Sequence, residues 1–214
     1  MRGDEESDRG LSAVWLSPTV DLPEPIAAGV NHRIAQADLR RQICTERLVG
    51  TEFTMAQILI TGANGFIGSR LAATMPVGAA VRLNDADHIV ERLILVDQVV
   101  TNDRAGPAGA EWVEGDLGAL VARQPELFAS ADAVFHLASA TSGECEADLD
   151  LGLNANLMTG IALGRCLAAA AHRPLLVFSS TLAVYGGTPD TPLPPLITDA
   201  EQPTPQKRYG AQKL

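Results

Sequence analysis

Tyr209-Gly-Ala-Gln-Lys213 sets a phenol and an amine four residues apart. On a helix, that spacing puts both groups on one face. A free phenol, with a pKa of about 10, is a poor base at neutral pH. A neighbouring ammonium favours the phenolate, which could then take the proton of a substrate hydroxyl. Thr181 follows the apolar run LLVFSS upstream. A hydroxyl there could hydrogen-bond the reacting oxygen. Tyr-x-x-x-Lys alone is common by chance; the threonine makes it informative.

A second pattern concerns phosphate. Gly62-x-x-Gly65-x-x-Gly68 follows the apolar run Ala56–Thr61 and opens a helical segment. In a strand, turn and helix, the first glycine permits the tight turn. The second lets backbone N–H groups approach a pyrophosphate, and the third lets the helix pack closely on the sheet. The helix N-terminus favours the diphosphate charge. The ligand this implies is a dinucleotide, with NAD as the expected cofactor. Asp97 closes a second apolar run, LILVD, where a carboxylate would accept hydrogen bonds from the adenosine ribose. It would repel a 2′-phosphate, so NADP is less favoured, and Arg104 could soften that preference. The gap from Gly62 exceeds the usual ~20 residues, which an insertion over Pro76–Glu91 would explain. Asp116, in EGDL, is placed for the adenine amino group or for capping the helix that follows. Further candidate cofactor contacts are Asn64, Phe66 and Ile67 in the loop, Leu117, then Leu137, Ala138 and Ser139, with Tyr209 and Lys213.

These residues need a scaffold. Strands are expected over Ala56–Thr61, Leu93–Asp97, Glu111–Val113, Ala133–Ala138 and Leu175–Ser180. Helices are expected over Gly65–Met75, Gly118–Phe128 with a break near Pro125, and Glu146–Ala171. A proline-rich loop spans Gly186–Pro205, and a last helix starts around Gln206. In the long helix Leu149, Leu153, Leu157, Gly160, Gly164 and Leu167 recur at helical spacing. Alternating strands and helices imply an α/β fold, a Rossmann-type doubly wound parallel sheet whose ligands sit at the carboxyl ends of the strands. Gly62, Asp97, Asp116, Ala138 and Thr181 all fall at those ends.

The chain has 214 residues, 46% of them hydrophobic, and a net charge of −10. That is enough for a core, and the acidic balance argues against nucleic acid or anionic membrane as partners. No apolar run is long enough for a transmembrane helix. Cys44, Cys145 and Cys166 form no metal or disulfide pattern, so a cytoplasmic protein with reduced thiols is expected, with no metal. His136 falls inside a strand and reads as a core histidine. Residues 1–54 are mixed and charged, with a weak helical pattern over Ile34–Val49. They are expected to be an extension, poorly ordered or translated from an upstream start codon, with a folded accessory segment as the alternative. Residues 55–214 are expected to form the dinucleotide-binding domain.

TGANGFIG, LVD, GDL, FHLAS, NLMTG, FSSTLAVYG and YGAQK together resemble the extended short-chain dehydrogenase/reductase superfamily, the NAD-dependent epimerase/dehydratase-type enzymes, over Met55–Leu214. The resemblance implies that Thr181, Tyr209 and Lys213 are catalytic and that Asn156 supports a proton relay or helix bend. The stretch SGECEADLDLGLNANLMTG is similar to the D-erythronate dehydrogenase subgroup. That implies oxidation of the C2 hydroxyl of a four-carbon sugar acid, with Ser142 and Gly143 near substrate beside Thr181 and Tyr209. The dehydratases of this superfamily usually carry Asp-Glu after the catalytic threonine; Leu182 and Ala183 stand there instead. A nucleotide-sugar 4-epimerase and a non-catalytic NAD-binding fragment are the alternatives. Family members continue for roughly another hundred residues, so the C-terminal substrate lobe is expected to be missing, the isolated chain weak or inactive, and a homodimer possible if that part were complete.

Overall fold

The computed structural model describes residues 53–100, 106–190 and 192–214. The weak helical pattern over 34–49, Cys44 and Arg104 lie outside them. Two compact units are present. Among the described residues, one holds Phe53–Met55 and Ala80–Ile89; the other holds Ala56–Ala79 and Val90–Leu214.

In the smaller unit, β2 (Ala80–Leu83) pairs antiparallel with the start of β3 (Ala86–Asp97), from Ala80 opposite Ile89 to Leu83 opposite Ala86. Asn84 and Asp85 turn the hairpin at φ 47° and 64°, left-handed values that these two residue types tolerate. The insertion expected over Pro76–Glu91 thus contains a two-residue β-hairpin.

The larger unit carries the parallel sheet. From β1 (Thr54–Thr61), one side leads to β3 and then β4 (Glu111–Glu114). The other leads to β5 (Ala133–His136) and β6 (Leu175–Phe178). The β1–β5, β3–β4 and β5–β6 pairs are all parallel. The strand order reverses at β1, so a crevice opens there at the carboxyl ends. This is the doubly wound Rossmann arrangement. Ile58, Leu59 and Ile60 are fully buried. A strand covered on both faces has no side for polar residues, hence its unbroken apolar run.

Helix α1 (Phe66–Thr74) follows the glycine turn. Helices α2 (Leu117–Arg123) and α3 (Pro125–Ala129) are separated at Gln124, where Pro125 starts the second. Leu117, Leu120, Val121 and Phe128 pack with Leu59, Ile94, Val134 and Leu163 in the main core cluster.

The expected long helix is not continuous. Helix α4 (Ser142–Ala147) opens on a capping box between Thr141 and Glu144. The Asp148 carboxylate then accepts from the Leu151 N–H at 3.0 Å and starts α5 (Leu149–Gly152). A π-helical stretch, Leu153–Met158, leads into α6 (Thr159–Ala169). The wider π turn rotates the side chains. Gly152, Asn156, Leu163 and Leu167 face inward, while Leu149 is exposed. A 3₁₀ turn, Leu182–Val184, and the short α7 (Arg208–Gln212) complete the described elements.

Candidate active site

Gly62 turns the chain at φ 69°. A Cβ there would meet the Ala138 nitrogen at 2.7 Å, and one on Gly68 would overlap the Gly62 carbonyl oxygen. Backbone therefore presses on backbone where α1 begins. Gly65 caps α1 without a side-chain bond, and the first turn holds no acid. The first N–H groups of a helix have no intrahelical acceptor, so they and the helix dipole are available to an anion.

Beside this turn lies a cavity of about 500 Å³. Of the expected cofactor residues, Gly62, Asn64, Gly65, Asp97, Asp116, Leu117, Leu137, Ala138 and Ser139 line it. They come from the carboxyl ends of β1, β3, β4 and β5. Asp97 Oδ2 accepts from the Asn64 N–H at 2.8 Å, which ties the end of β3 to the turn. Asp116 Oδ1 accepts from the Ala119 N–H at 2.8 Å, so it caps α2 at the cavity wall. Phe66, Ile67 and Gly68 do not line the cavity. The first two are exposed and the third packs α1 against the turn.

Further lining residues are Thr61, Val96, Gln98, Gly115, Ala140, Glu144, Leu151, Ala155 and Thr159. Leu151, Ala155 and Thr159 recur every fourth residue, a signal the sequence carries. Among the described residues, Asp97, Asp116 and Glu144 are the charged side chains of this wall. The Thr141 N–H and hydroxyl both donate to Glu144 and hold its carboxyl below the usual range. The backbone N–H groups and dipole of the α1 start face an anion placed here. The turn that a Cβ would fill and the uncapped helix start fit a dinucleotide.

Thr181, Tyr209, Lys213, Ser142 and Gly143 stand outside the cavity lining. The Thr181 hydroxyl oxygen accepts from the Ala183 N–H at 3.2 Å. A Cβ on Gly210 would overlap the Ala183 carbonyl oxygen, so α7 packs directly on the turn after Thr181. The Ser180 hydroxyl donates to the Lys213 carbonyl at 2.8 Å. Tyr209 is half-buried, and its N–H donates to Glu146 Oε1 at 3.2 Å. Lys213 is buried; its ammonium lies 4.4 Å over the Phe178 ring with no hydrogen-bond partner. Burial pushes the amine's pKa down. Ser142 and Gly143 form the exposed first turn of α4.

Asn156 touches neither Tyr209 nor Lys213 in any hydrogen bond. Its Oδ1 accepts from the Ala140 N–H at 2.8 Å, and its Nδ2 donates to Cys145 Sγ at 3.1 Å and Gln212 Oε1 at 3.5 Å. It thereby joins a cavity-lining loop to α7. Gln212 carries no signal in the sequence. It seats against Gly152, where a Cβ would meet its amide at 2.6 Å.

His136 is buried, with Nδ1 2.8 Å from the Thr61 hydroxyl and Nε2 without a partner. Burial first, and the Lys213 charge second, push its pKa down to about 4. The unfolded imidazole takes up its proton near 6.5, before the folded one does. We predict that the fold loses up to about 3 kcal/mol as pH falls from 6.5 through 4, and that this residue contributes no slope above 6.5. Urea melts across that range check this. His136→Gln should show a smaller loss; an equal loss in both would assign it to other groups.

The chain belongs to the NAD dependent epimerase/dehydratase family, whose model matches residues 58–214. It is 37% identical over 156 residues to a D-erythronate dehydrogenase of Cupriavidus necator, covering 73% of this chain and 47% of that protein. It is 32% identical over 157 residues to a D-erythronate dehydrogenase of Haemophilus influenzae, covering 73% and 46%. The chain thus spans about half the length of the curated relatives it matches. A solved nucleoside-diphosphate-sugar epimerase of Agrobacterium tumefaciens is similar in fold, with a TM-score of 0.58 and 30% identity, covering 79% of this chain and 48% of that one.

Proposed function

We propose that this chain supplies the coenzyme-binding half of an NAD-dependent dehydrogenase that oxidises the C2 hydroxyl of a four-carbon sugar acid, of D-erythronate type, to the 2-oxo acid. The observation that carries the reading is the joint placement of the glycine turn, Asp97 and Asp116 around one cavity, with α7 packed on the Thr181 turn in the same unit. The similarity to D-erythronate dehydrogenases supports the substrate class. Gly62, Gly65 and the start of α1 hold the diphosphate, and Asp97 and Asp116 hold the adenosine. NAD held there would supply a hydride acceptor for the substrate carbon. The Tyr209 phenolate takes the hydroxyl proton, Lys213 favours that phenolate, and Thr181 orients the reacting oxygen. Asn156 positions α7 through Gln212. Ser142 and Gly143 lie on the substrate side. Residues 55–214 form the coenzyme domain and the residues before them an extension. The setting we propose is the cytoplasm, with a homodimer as the assembled form of a chain complete at its C-terminal part. Among the described residues no helix is long and apolar enough to cross a membrane.

Incubation with NAD⁺ and D-erythronate, followed by NADH absorbance, tests the reaction. NADH formation is the expected result for a chain joined to its substrate lobe. NAD⁺ binding without NADH in that same form would favour a non-catalytic NAD-binding module, a reading the withdrawn Lys213 ammonium supports. The likeness to the Agrobacterium epimerase favours a second alternative, a nucleotide-sugar 4-epimerase. Interconversion of UDP-sugars without net NADH would identify it.

Asp97 also sets the coenzyme preference we propose. Its carboxylate would repel a 2′-phosphate, so Asp97→Ser should weaken NAD⁺ and strengthen NADP⁺, changing the affinity ratio by about tenfold or more. Parallel calorimetric titrations read this directly. An unchanged ratio would remove Asp97 from the adenosine site.

A further inference from the structure

Two buried nitrogens on neighbouring elements lack partners, and both face one aromatic ring. The Lys213 ammonium lies 4.4 Å over Phe178, and the His136 ring centroid lies 5.5 Å from the same ring. Gly160 of α6 leaves room above them. A Cβ there would reach the Phe178 ring at 3.8 Å and His136 Nε2 at 3.9 Å. Lys213 Nζ and His136 Nε2 are each without a hydrogen bond, although both residues are about 1% exposed. Leaving a buried ammonium unpaired is costly. A neutral imidazole offers the lone pair it needs.

We propose that His136 is the seat of Lys213, its Nε2 lone pair accepting a hydrogen bond from the ammonium while Phe178 covers the cation from the other side. Thr61 makes this possible. Its hydroxyl oxygen takes the Ala138 N–H at 3.2 Å and stands 2.8 Å from His136 Nδ1. It can therefore accept the Nδ1 proton and leave Nε2 bare. Burial keeps the imidazole neutral at ordinary pH. The titratable groups acting on the ammonium are His136 from β5 and Cys145 from α4. Phe178 and Gly160, from β6 and α6, carry no charge. Glu146 of α4 meets the Tyr209 backbone, and Lys207 and Arg208 precede it. His136 is thus a positioning residue for the Lys213 ammonium. Its link to catalysis rests on the proposed roles of Tyr209 and Lys213; the contact itself does not.

The experiment has two arms. In the unmodified protein, imidazole ¹⁵N spectra resolve four histidines. The expected His136 pattern is a protonated Nδ1 and a bare Nε2 whose resonance moves in Lys213→Met. A protonated Nε2, or a resonance indifferent to Lys213→Met, overturns the seat. The second arm reads the Lys213 amine by the pH dependence of its ¹³Cε resonance. Without the seat the amine loses its proton more readily. His136→Leu should lower the Lys213 titration by about one pH unit, and His136→Gln, which keeps an acceptor oxygen, should restore most of it. A lowered melting temperature with an unmoved amine titration would mean a structural histidine only and overturn the proposal. Should His136→Leu not fold, the His136→Gln titration and the ¹⁵N arm still decide. Neither arm needs turnover, so a wrong substrate would leave both readouts valid.

Discussion

Alanine at position 68 is expected to abolish measurable dinucleotide binding. The added methyl would overlap the Gly62 carbonyl oxygen and approach the Ala63 Cα at 2.8 Å. Both contacts are backbone, so no side chain can move aside. Either α1 lifts from the sheet or the turn opens, and both displace the N–H groups meant for the diphosphate. Displacement of about 1 Å is enough to cost a factor of about a hundred, and the overpacking itself costs about 3 kcal/mol. Calorimetric titration with NAD⁺ and a urea melt read the two effects. Gly164→Ala is the control, because a Cβ there meets nothing within 4 Å. It should leave binding unchanged and stabilise α6 slightly, by about 0.5 to 1 kcal/mol. An unchanged Kd in Gly68→Ala would mean that the glycine turn does not hold the ligand.

Tyr209→Phe has the second large effect. The phenol is half-buried, on a helix whose Gly210 is locked against Ala183. Loss of the hydroxyl should leave the helix in place and the NAD⁺ affinity within about twofold, because the diphosphate and adenosine contacts are untouched. Turnover should fall by about a thousandfold, within the usual range for a lost general base. It is read as NADH formation by the chain joined to its substrate lobe. A fall in kcat with an unchanged Kd for NAD⁺ supports the assignment; a variant of undiminished kcat would contradict it.

The parts legible in sequence are those whose cause is local. The run Ala56–Thr61, the three glycines and Asp97 read correctly because a strand buried on both faces, a tight turn and a strand-end carboxylate each leave a short pattern. The π stretch Leu153–Met158 left none. What fixes Asn156 is the Ala140 loop and Gln212, both distant in sequence. The Asp148 cap was hidden inside a periodic pattern that ran through it. The hairpin at Asn84–Asp85 has a turn signal, but its paired stretch, Ala80–Leu83 against Ala86–Ile89, is short. The position of Lys213 depends on β5, β6 and α6 meeting, which no spacing reveals. His136 shows both sides: its burial follows from its strand, while its unpartnered Nε2 is a tertiary fact.

A crystal structure with NAD⁺ bound tests the central claim most directly. The account predicts the diphosphate against the N–H groups at Gly65 and the start of α1, the adenosine ribose on Asp97, and the nicotinamide directed toward Tyr209. Density for the coenzyme away from the glycine turn, or a nicotinamide pointing away from α7, would contradict it.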